Sequence, residues 1–399
     1  MSTGPFARST DLKRLRDEGY TVEILGSYLV LRDVPYATPE GQVVYGVLAA
    51  PVTFAGGDVS GMNDHTVHFQ GQTPSDASGK PLSHLINSLV QQEIYPGLTV
   101  NFYFSQKPRT GAYRDNYAKF TTYVRLLGVH ASDIDTTATA KQYRPVVADD
   151  DPSPFLYRDS ASSRAGVDSD NEVFRGHRVA IVGVGGTGSY ILDLVAKTPV
   201  DEIHLFDADE FVNHNAFRAP GASPLEVLET RPKKVDYFAG EYSRMRTGIV
   251  PHPVHVTAET VGQLAGMTWV FLAADEPAAK REIIDYLEVH DIPFIDVGMG
   301  IEKHDAGLSG TLRVTTSLPG SRDNARTAIP SGHAAPGGEY ASNIQIADLN
   351  LLNAGLAVVR WKRALRFYAD HGREWNATYS LFTNSIVNEG PDAENEGSE

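Results

Sequence analysis

The sequence predicts an α/β protein, a mostly parallel sheet with helices on both faces, preceded by a separate mixed α+β domain. Three observations lead there. From residue 177 onward, near-continuous apolar runs (HRVAIVGV, VDEIHLFD, TWVFLAA, IPFIDVG) alternate with helical stretches, the pattern of buried parallel strands joined by crossover helices. The first run ends in IVGVGGTGSY, a glycine-rich turn leading into the amphipathic stretch SYILDLVAK. The first 145 residues lack this alternation and read as strands broken by turn residues.

In residues 1–145, GYTVEILGSYLVLRDVPYAT reads as two strands parted at Gly26-Ser27, and GQVVYGVLAAPVTFAGG and LTVNFYFSQKP supply more. PLSHLINSLVQQEI carries apolar residues at helical spacing and predicts a helix. Residues 146–170 mix acidic residues, proline and serine without period and predict a linker. It is long for a passive connection, so part of it is expected to serve the next domain's site, with Arg158 and Arg164 as the residues of interest. Residues 171–387 form the α/β domain, and the acidic stretch 388–399 is expected to be disordered.

Composition narrows the chemistry. The chain has 399 residues, more than one core usually holds, and a formal charge of -15, which disfavours nucleic acid and anionic lipid as partners. No stretch has the roughly 18 apolar residues needed to span a bilayer, and MSTGPFARST lacks the apolar core of a secretion signal, so a cytoplasmic protein is expected. There is no cysteine, which excludes disulfides, thiolate metal sites and a thioester on a side chain of this chain. None of the 13 histidines forms HExxH, and His65 and His68 read as structural or surface residues.

The glycine turn carries the functional reading. Gly183, Gly185, Gly186 and Gly188 suit a tight bend, close approach of backbone to phosphate, and strand–helix packing. The helix start beyond them offers N–H groups and positive dipole potential to an anion. Asp207 closes the next strand, where a carboxylate can accept hydrogen bonds from a ribose, as in NAD enzymes. The following loop, FDADEFVNHNAFRAPGA, adds Asp209, Asn215 and Arg218, and Lys233 and Lys234 follow in TRPKKVDYFAGEY. A ribose ligand, a polar amide and a guanidinium so close to a phosphate turn suit a triphosphate better than a nicotinamide. Asp275, after TWVFLAA, is placed to hold Mg²⁺ against phosphates or to cap the next helix.

Taken in order, GVGGTGS, DAD with HNAFR, PKKV and the strand-end Asp275 resemble the ThiF/MoeB/HesA (ubiquitin-activating, E1-like) adenylyltransferase family over residues 164–368. The resemblance implies a Rossmann-like adenylation domain that binds ATP and Mg²⁺. It implies attack by the C-terminal carboxylate of a ubiquitin-like protein or peptide on the α-phosphate, releasing pyrophosphate. In those terms Asp207 would contact ribose, Asn215 and Arg218 the phosphates, Lys234 (or Lys233) the α-phosphate region, and Asp275 the metal. An arginine ahead of the glycine turn, which in several members crosses a homodimer interface, would be Arg164, with Arg158 behind it. The resemblance thus implies a homodimer.

Departures matter too. Many members bear a thiol after GTLRV, and the corresponding segment TTSLPGSRDNARTAIPSGHAAPGGEYASN has none. The activated carboxylate would therefore pass to a nitrogen nucleophile or to a separate carrier or conjugating protein. The usual aspartate-asparagine pair reads Asp275-Glu276. YASNIQIADLNLLNAGLAVVRWKRALRFY is helical and resembles the family's closing helix, with Asn343, Gln345 and Asn350 expected away from its apolar face. The leading domain looks like an uncharacterised domain fused ahead of bacterial E1-like modules, and Lys107, Arg109, Arg114, Asp115, Tyr117 and Lys119 read as substrate-contacting or ordinary polar surface. Two other readings share parts of the pattern, an NAD(P)-dependent oxidoreductase and a non-catalytic nucleotide-binding adaptor.

Overall fold

The computed structural model describes residues 6, 9–55, 58–60, 64–145, 153–274, 276–330 and 344–391. The chain divides into two compact units, Met1–Pro152 with Tyr157–Arg164, and Ser153–Leu156 with Ala165–Glu399. The segment expected as one linker is thus shared between them. Residues 146–152 lie outside the described residues, as do residues 392–399 of the acidic tail. Phe155 bridges to Arg246 in the second unit, whereas Ser163 donates to Asp17 in the first.

In the first unit, six strands form an antiparallel sheet: β1 (Val22–Leu25), β2 (Tyr28–Ala37), β3 (Val43–Pro51), β4 (Thr66–Gln70), β5 (Ile86–Tyr95) and β6 (Leu98–Ser105). Their spatial order is β1-β2-β3-β4-β6-β5. Helix α1 (Thr10–Asp17) and the 19-residue α2 (Asn116–Ile134) bury Leu12, Leu15, Phe120, Tyr123 and Leu127 with the sheet's apolar face. The helix expected in PLSHLINSLVQQEI is instead a turn followed by strand β5. Leu82 and Leu85 are buried in the turn, and Gly97, at φ +81, closes a hairpin that pairs β5 with β6. Cross-strand pairing overrides the helical spacing there. The polar cluster is also regrouped, since Asp115 caps α2 and Lys119 is buried, its ammonium near the Asp64 carbonyl.

The second unit carries an eight-stranded sheet. Its strands are β7 (Arg178–Val182), β8 (Glu202–Phe206), β9 (Ile249–His252), β10 (Trp269–Leu272), β11 (Phe294–His304), β12 (Gly307–Ser317), β13 (Asn376–Ser380) and β14 (Ser385–Glu389). The order is β9-β8-β7-β10-β11-β12-β13-β14. Pairing is parallel from β9 to β11 and antiparallel from β11 onward, so the sheet is mixed. The change comes at the β11–β12 hairpin, where Gly307 has φ +126.

Helix α3 (Gly186–Ala196) follows the glycine turn and buries Ile191, Leu192 and Val195 against β7 and α6 (Ala347–Ala364). Helices α4 (Lys234–Tyr242) and α5 (Pro277–Val289) complete the layers. The carboxyl end of α3 is also secured. Arg246, fully buried, donates to the carbonyls of Thr198 at 2.9 Å, Ala196 at 3.4 Å and Val200. Burial pushes its pKa down to about 10, and its positive charge meets the negative end of the helix dipole. The other end of α3 borders a cleft at the carboxyl edge of the sheet.

Candidate functional site

A cleft of about 290 Å³ opens at that edge, bordered by the glycine turn, the β8 end, α4, α5, the middle of β11 and α6. Ligands of open α/β sheets bind at this position because strand ends and helix starts converge there. Gly183 has φ +87, and a Cβ on it would lie 2.8 Å from the Ala273 carbonyl oxygen, so only glycine serves. Gly188 lies behind the wall, where a Cβ would meet the Gly183 carbonyl oxygen at 1.8 Å, and it lets α3 close on β7. Gly185 borders the cleft, and a Cβ there would project into open space. That space adjoins the start of α3, a cradle fitted to phosphate.

Asp207 is buried and shapes the turn. One of its oxygens accepts from the Val184 N–H at 3.0 Å and the other from the Asp209 N–H at 2.9 Å. Lys234, also buried, sends its ammonium to Asp209 at 2.7 Å and reaches Asp207 at 3.5 Å. Its hydrogen bond holds the Asp209 carboxyl below its usual value, outweighing the desolvation that would raise it. The Asp209 side chain is 58% exposed, so its carboxylate is the more accessible of the two. Lys233 turns away and donates to the Ala208 carbonyl at 2.7 Å.

Arg218 lines the cleft from the loop after β8. Asn215 is buried but does not form the wall. Its Oδ1 accepts from the Val212 N–H at 3.0 Å, and its Nδ2 has no hydrogen-bond partner among the described residues. Positive potential is felt locally, since desolvation and then the charges of Arg218 and Lys234 press the His214 imidazole below its usual pKa.

Val182, Phe206, Val254, Val256, Ala279 and Ile283 make an apolar wall that the motifs did not reveal. The alternation in IVPHPVHV at and beyond β9 is the sequence signal for part of it. Asn350 and Asn353 also line the cleft, and Asn350 lies on the buried face of α6, contrary to expectation, because α6 packs its polar positions onto the glycine turn. Gln345 lines the cleft as well, and Asn343 lies outside the described residues.

Arg158 and Arg164 do not line this cleft. Arg164 belongs to the first unit, its guanidinium 5.8 Å from the Tyr143 ring centroid, on a short helix anchored by Ser163 to Asp17. Arg158 donates to Ser163 at 3.2 Å. Asp275 lies outside the described residues, and among the described residues no group of three His, Asp or Glu side chains is placed to hold a metal ion. Glu276 lines the cleft. A Mg²⁺ carried by ATP takes most ligands from phosphates and water and needs only one or two protein carboxylates, a demand this edge of the cleft fits.

Residues 158–389, more than half of the chain, match the ThiF family. The chain belongs to that family. Residues 10–160 match a domain of unknown function, DUF6791. The chain is 36% identical over 91 residues to the ubiquitin-like modifier-activating enzyme 5 of Culex quinquefasciatus, covering 22% of this chain and 23% of that protein. It is 26% identical over 136 residues to the tRNA threonylcarbamoyladenosine dehydratase of Escherichia coli K12, covering 32% of this chain and 48% of that protein. The chain thus spans less than half the length of these curated relatives. Among solved structures, E. coli MccB with ATP superposes at a TM-score of 0.42 with 15% identity, covering 56% of this chain and 67% of that one.

Proposed function

We propose that this ThiF-family chain catalyses ATP-dependent adenylation of the C-terminal carboxylate of a ubiquitin-like protein or peptide. The carboxylate oxygen bonds to the α-phosphorus, the bond to the bridging oxygen breaks, and pyrophosphate leaves with the electron pair. No thioester forms on this chain, which has no cysteine. The observation that carries the reading is the convergence of Arg218, Lys234 and the start of α3 on one cleft with Asp209 beside them.

In this reading the adenine lies against Val254, Val256 and Ile283, the ribose hydroxyls donate to Asp209, and Asp207 holds the turn in shape. The phosphates occupy the open space at Gly185 and the start of α3, near Arg218. Lys234 exchanges part of its ion pair with Asp209 for the α-phosphate as negative charge builds there. Because the nucleophile is already ionised, positioning and charge neutralisation suffice, and no general base is required. A Mg²⁺ held by Asp275 would neutralise further phosphate charge. The proposed role of Arg164 rests on the family resemblance, in which such an arginine crosses a homodimer interface. Exposed Leu351, Leu352 and Val359 on α6 support a homodimer.

The test is exchange of labelled pyrophosphate into ATP with Mg²⁺, across ubiquitin-like proteins and peptides with free C-terminal carboxylates. Substrate-dependent exchange is expected, with a loss of about a hundredfold or more in Arg218→Ala. Tight ATP binding with no exchange for any substrate would replace this reading with the adaptor.

A further inference from the structure

Resting on the proposed adenylation, the placement of two buried amides on α6 points to how the substrate's last residue is held. Asn350 and Asn353 are each 1% exposed, and both line the cleft. They are three residues apart on one helix, so they share a face and stand about 5 to 6 Å apart at Cβ. Each is oriented by one hydrogen bond and leaves one polar atom over. Asn350 Oδ1 accepts from the Thr187 hydroxyl at 2.9 Å, leaving Nδ2 as a donor with no partner among the described residues. Asn353 Nδ2 donates to the Gly298 carbonyl at 3.1 Å, which can only accept, so its Oδ1 remains an acceptor with no partner among the described residues.

Buried polar atoms without partners destabilise a fold, and apolar residues at these positions would pack α6 onto α3 without that penalty. The pair is also directional. A Cβ built on Gly186 would lie 2.2 Å from Asn350 Nδ2, so the spare donor sits against the first residue of α3, beside the space that the proposed reading gives to the phosphates. Asn353 is anchored through Nδ2 to Gly298 on β11, which lines the same cleft.

We infer that Asn350 and Asn353 form the subsite for the carboxyl-terminal residue of a peptide chain. Asn350 Nδ2 donates to the carboxylate oxygen that does not attack, and Asn353 Oδ1 accepts the backbone N–H of that same residue. The two groups are separated by a single Cα in the substrate and match the donor and acceptor in sign and order. A terminal residue lacking that N–H leaves Asn353 Oδ1 buried and unpaired. The subsite thus selects a peptide C-terminus over a simple carboxylic acid.

The probes are sulfamoyladenosine, its N-acetylglycyl derivative as a stable mimic of the acyl-adenylate, and the N-acetylsarcosyl derivative, which differs only by a methyl on the amide nitrogen. Affinities are measured by titration calorimetry on the full chain. The native protein is expected to bind the acetylglycyl probe about tenfold more tightly than the acetylsarcosyl probe. In Asn353→Ala that ratio is expected to collapse toward one, while sulfamoyladenosine binds as before and reports an intact cleft. Equal affinity of the native protein for the two acyl probes overturns the subsite without any variant. So does a ratio that survives in Asn353→Ala, or an equal loss for all three probes, which would place the amide at the nucleotide or in the fold. If sulfamoyladenosine itself does not bind the native protein, the nucleotide reading fails and the subsite with it.

Discussion

Lys233 and Lys234 are chemically the same and adjacent, yet the backbone gives them opposite surroundings. Lys233 is the N-cap of α4 and its ammonium is tied to a backbone carbonyl, whereas Lys234 enters the helix buried, between two carboxylates and the cleft. A buried ammonium paired with an accessible Asp209 can be drawn to a stronger anion without first shedding a full hydration shell. Lys234→Ala is therefore expected to lower pyrophosphate exchange by about a hundredfold or more. Lys233→Ala should stay within about threefold, as for most surface substitutions. Comparable losses in both variants would show that the cleft does not assign the role. At this scale the glycines, Asp207, Asp209 and Arg218 were legible because backbone conformation and charge spacing leave marks in sequence. Asn353 and the apolar wall were not, since a buried amide on a distant helix, or a valine after an edge strand, acquires meaning only once the chain is folded.

Among elements, local period was a sound guide where tertiary pairing agreed with it. Strands β7, β8 and β10 and helices α3 and α6 follow it. Strand β5 departs because its hairpin partner supplies hydrogen bonds that a helix would have supplied internally, and α2 forms beside a run of residues that reads as polar surface, with Phe120, Tyr123, Leu127 and Ala131 recurring at helical spacing. Helix α6 also shows how an element is held in place by charge. Arg360 reaches Glu374 at 2.6 Å and Arg363 bonds the same carboxylate and Asp370, fixing the carboxyl end of α6 to the segment before β13. Burial would raise the Glu374 carboxyl, but the bonds from Arg363 and Arg360 outweigh it and hold the pKa at about 2, against 4.5 ordinarily. With a folded pKa below the unfolded one, the stabilisation is full above about pH 4.5 and is lost as pH falls toward 2. Glu374→Gln is expected to cost about 3 kcal/mol at neutral pH, since it leaves two arginines against a neutral amide. The native-minus-variant difference should shrink as pH falls through that window, read by urea denaturation from pH 7 to 3. A difference that stays constant with pH would show that the network is not held by the Glu374 charge.

For the molecule as a whole, the loss of strand–helix alternation before residue 146 made two units legible. The sharing of Ser153–Leu156 and Tyr157–Arg164 between them was not, because it depends on Phe155 meeting Arg246 and Ser163 meeting Asp17, contacts far apart in sequence. Net charge bears on the substrate at this scale. One relative is by name a tRNA threonylcarbamoyladenosine dehydratase and another by name a ubiquitin-like modifier-activating enzyme. Holding tRNA requires lysines and arginines that displace counterions from several phosphates, with affinity falling steeply as salt rises. This chain carries 35 basic against 50 acidic residues, and several of its arginines are already committed to carboxylates, as Arg178 is to Glu202, Arg313 to Asp296 and Arg326 to Asp285 and Glu288. At physiological ionic strength, a mobility-shift titration with bulk tRNA is expected to show no complex up to tens of micromolar protein, weaker than about the micromolar range of ordinary non-specific binders. A saturable, salt-sensitive complex at low micromolar protein would reverse the preference for a protein or peptide carboxylate, because a chain of this charge could form one only through a basic surface built for the purpose.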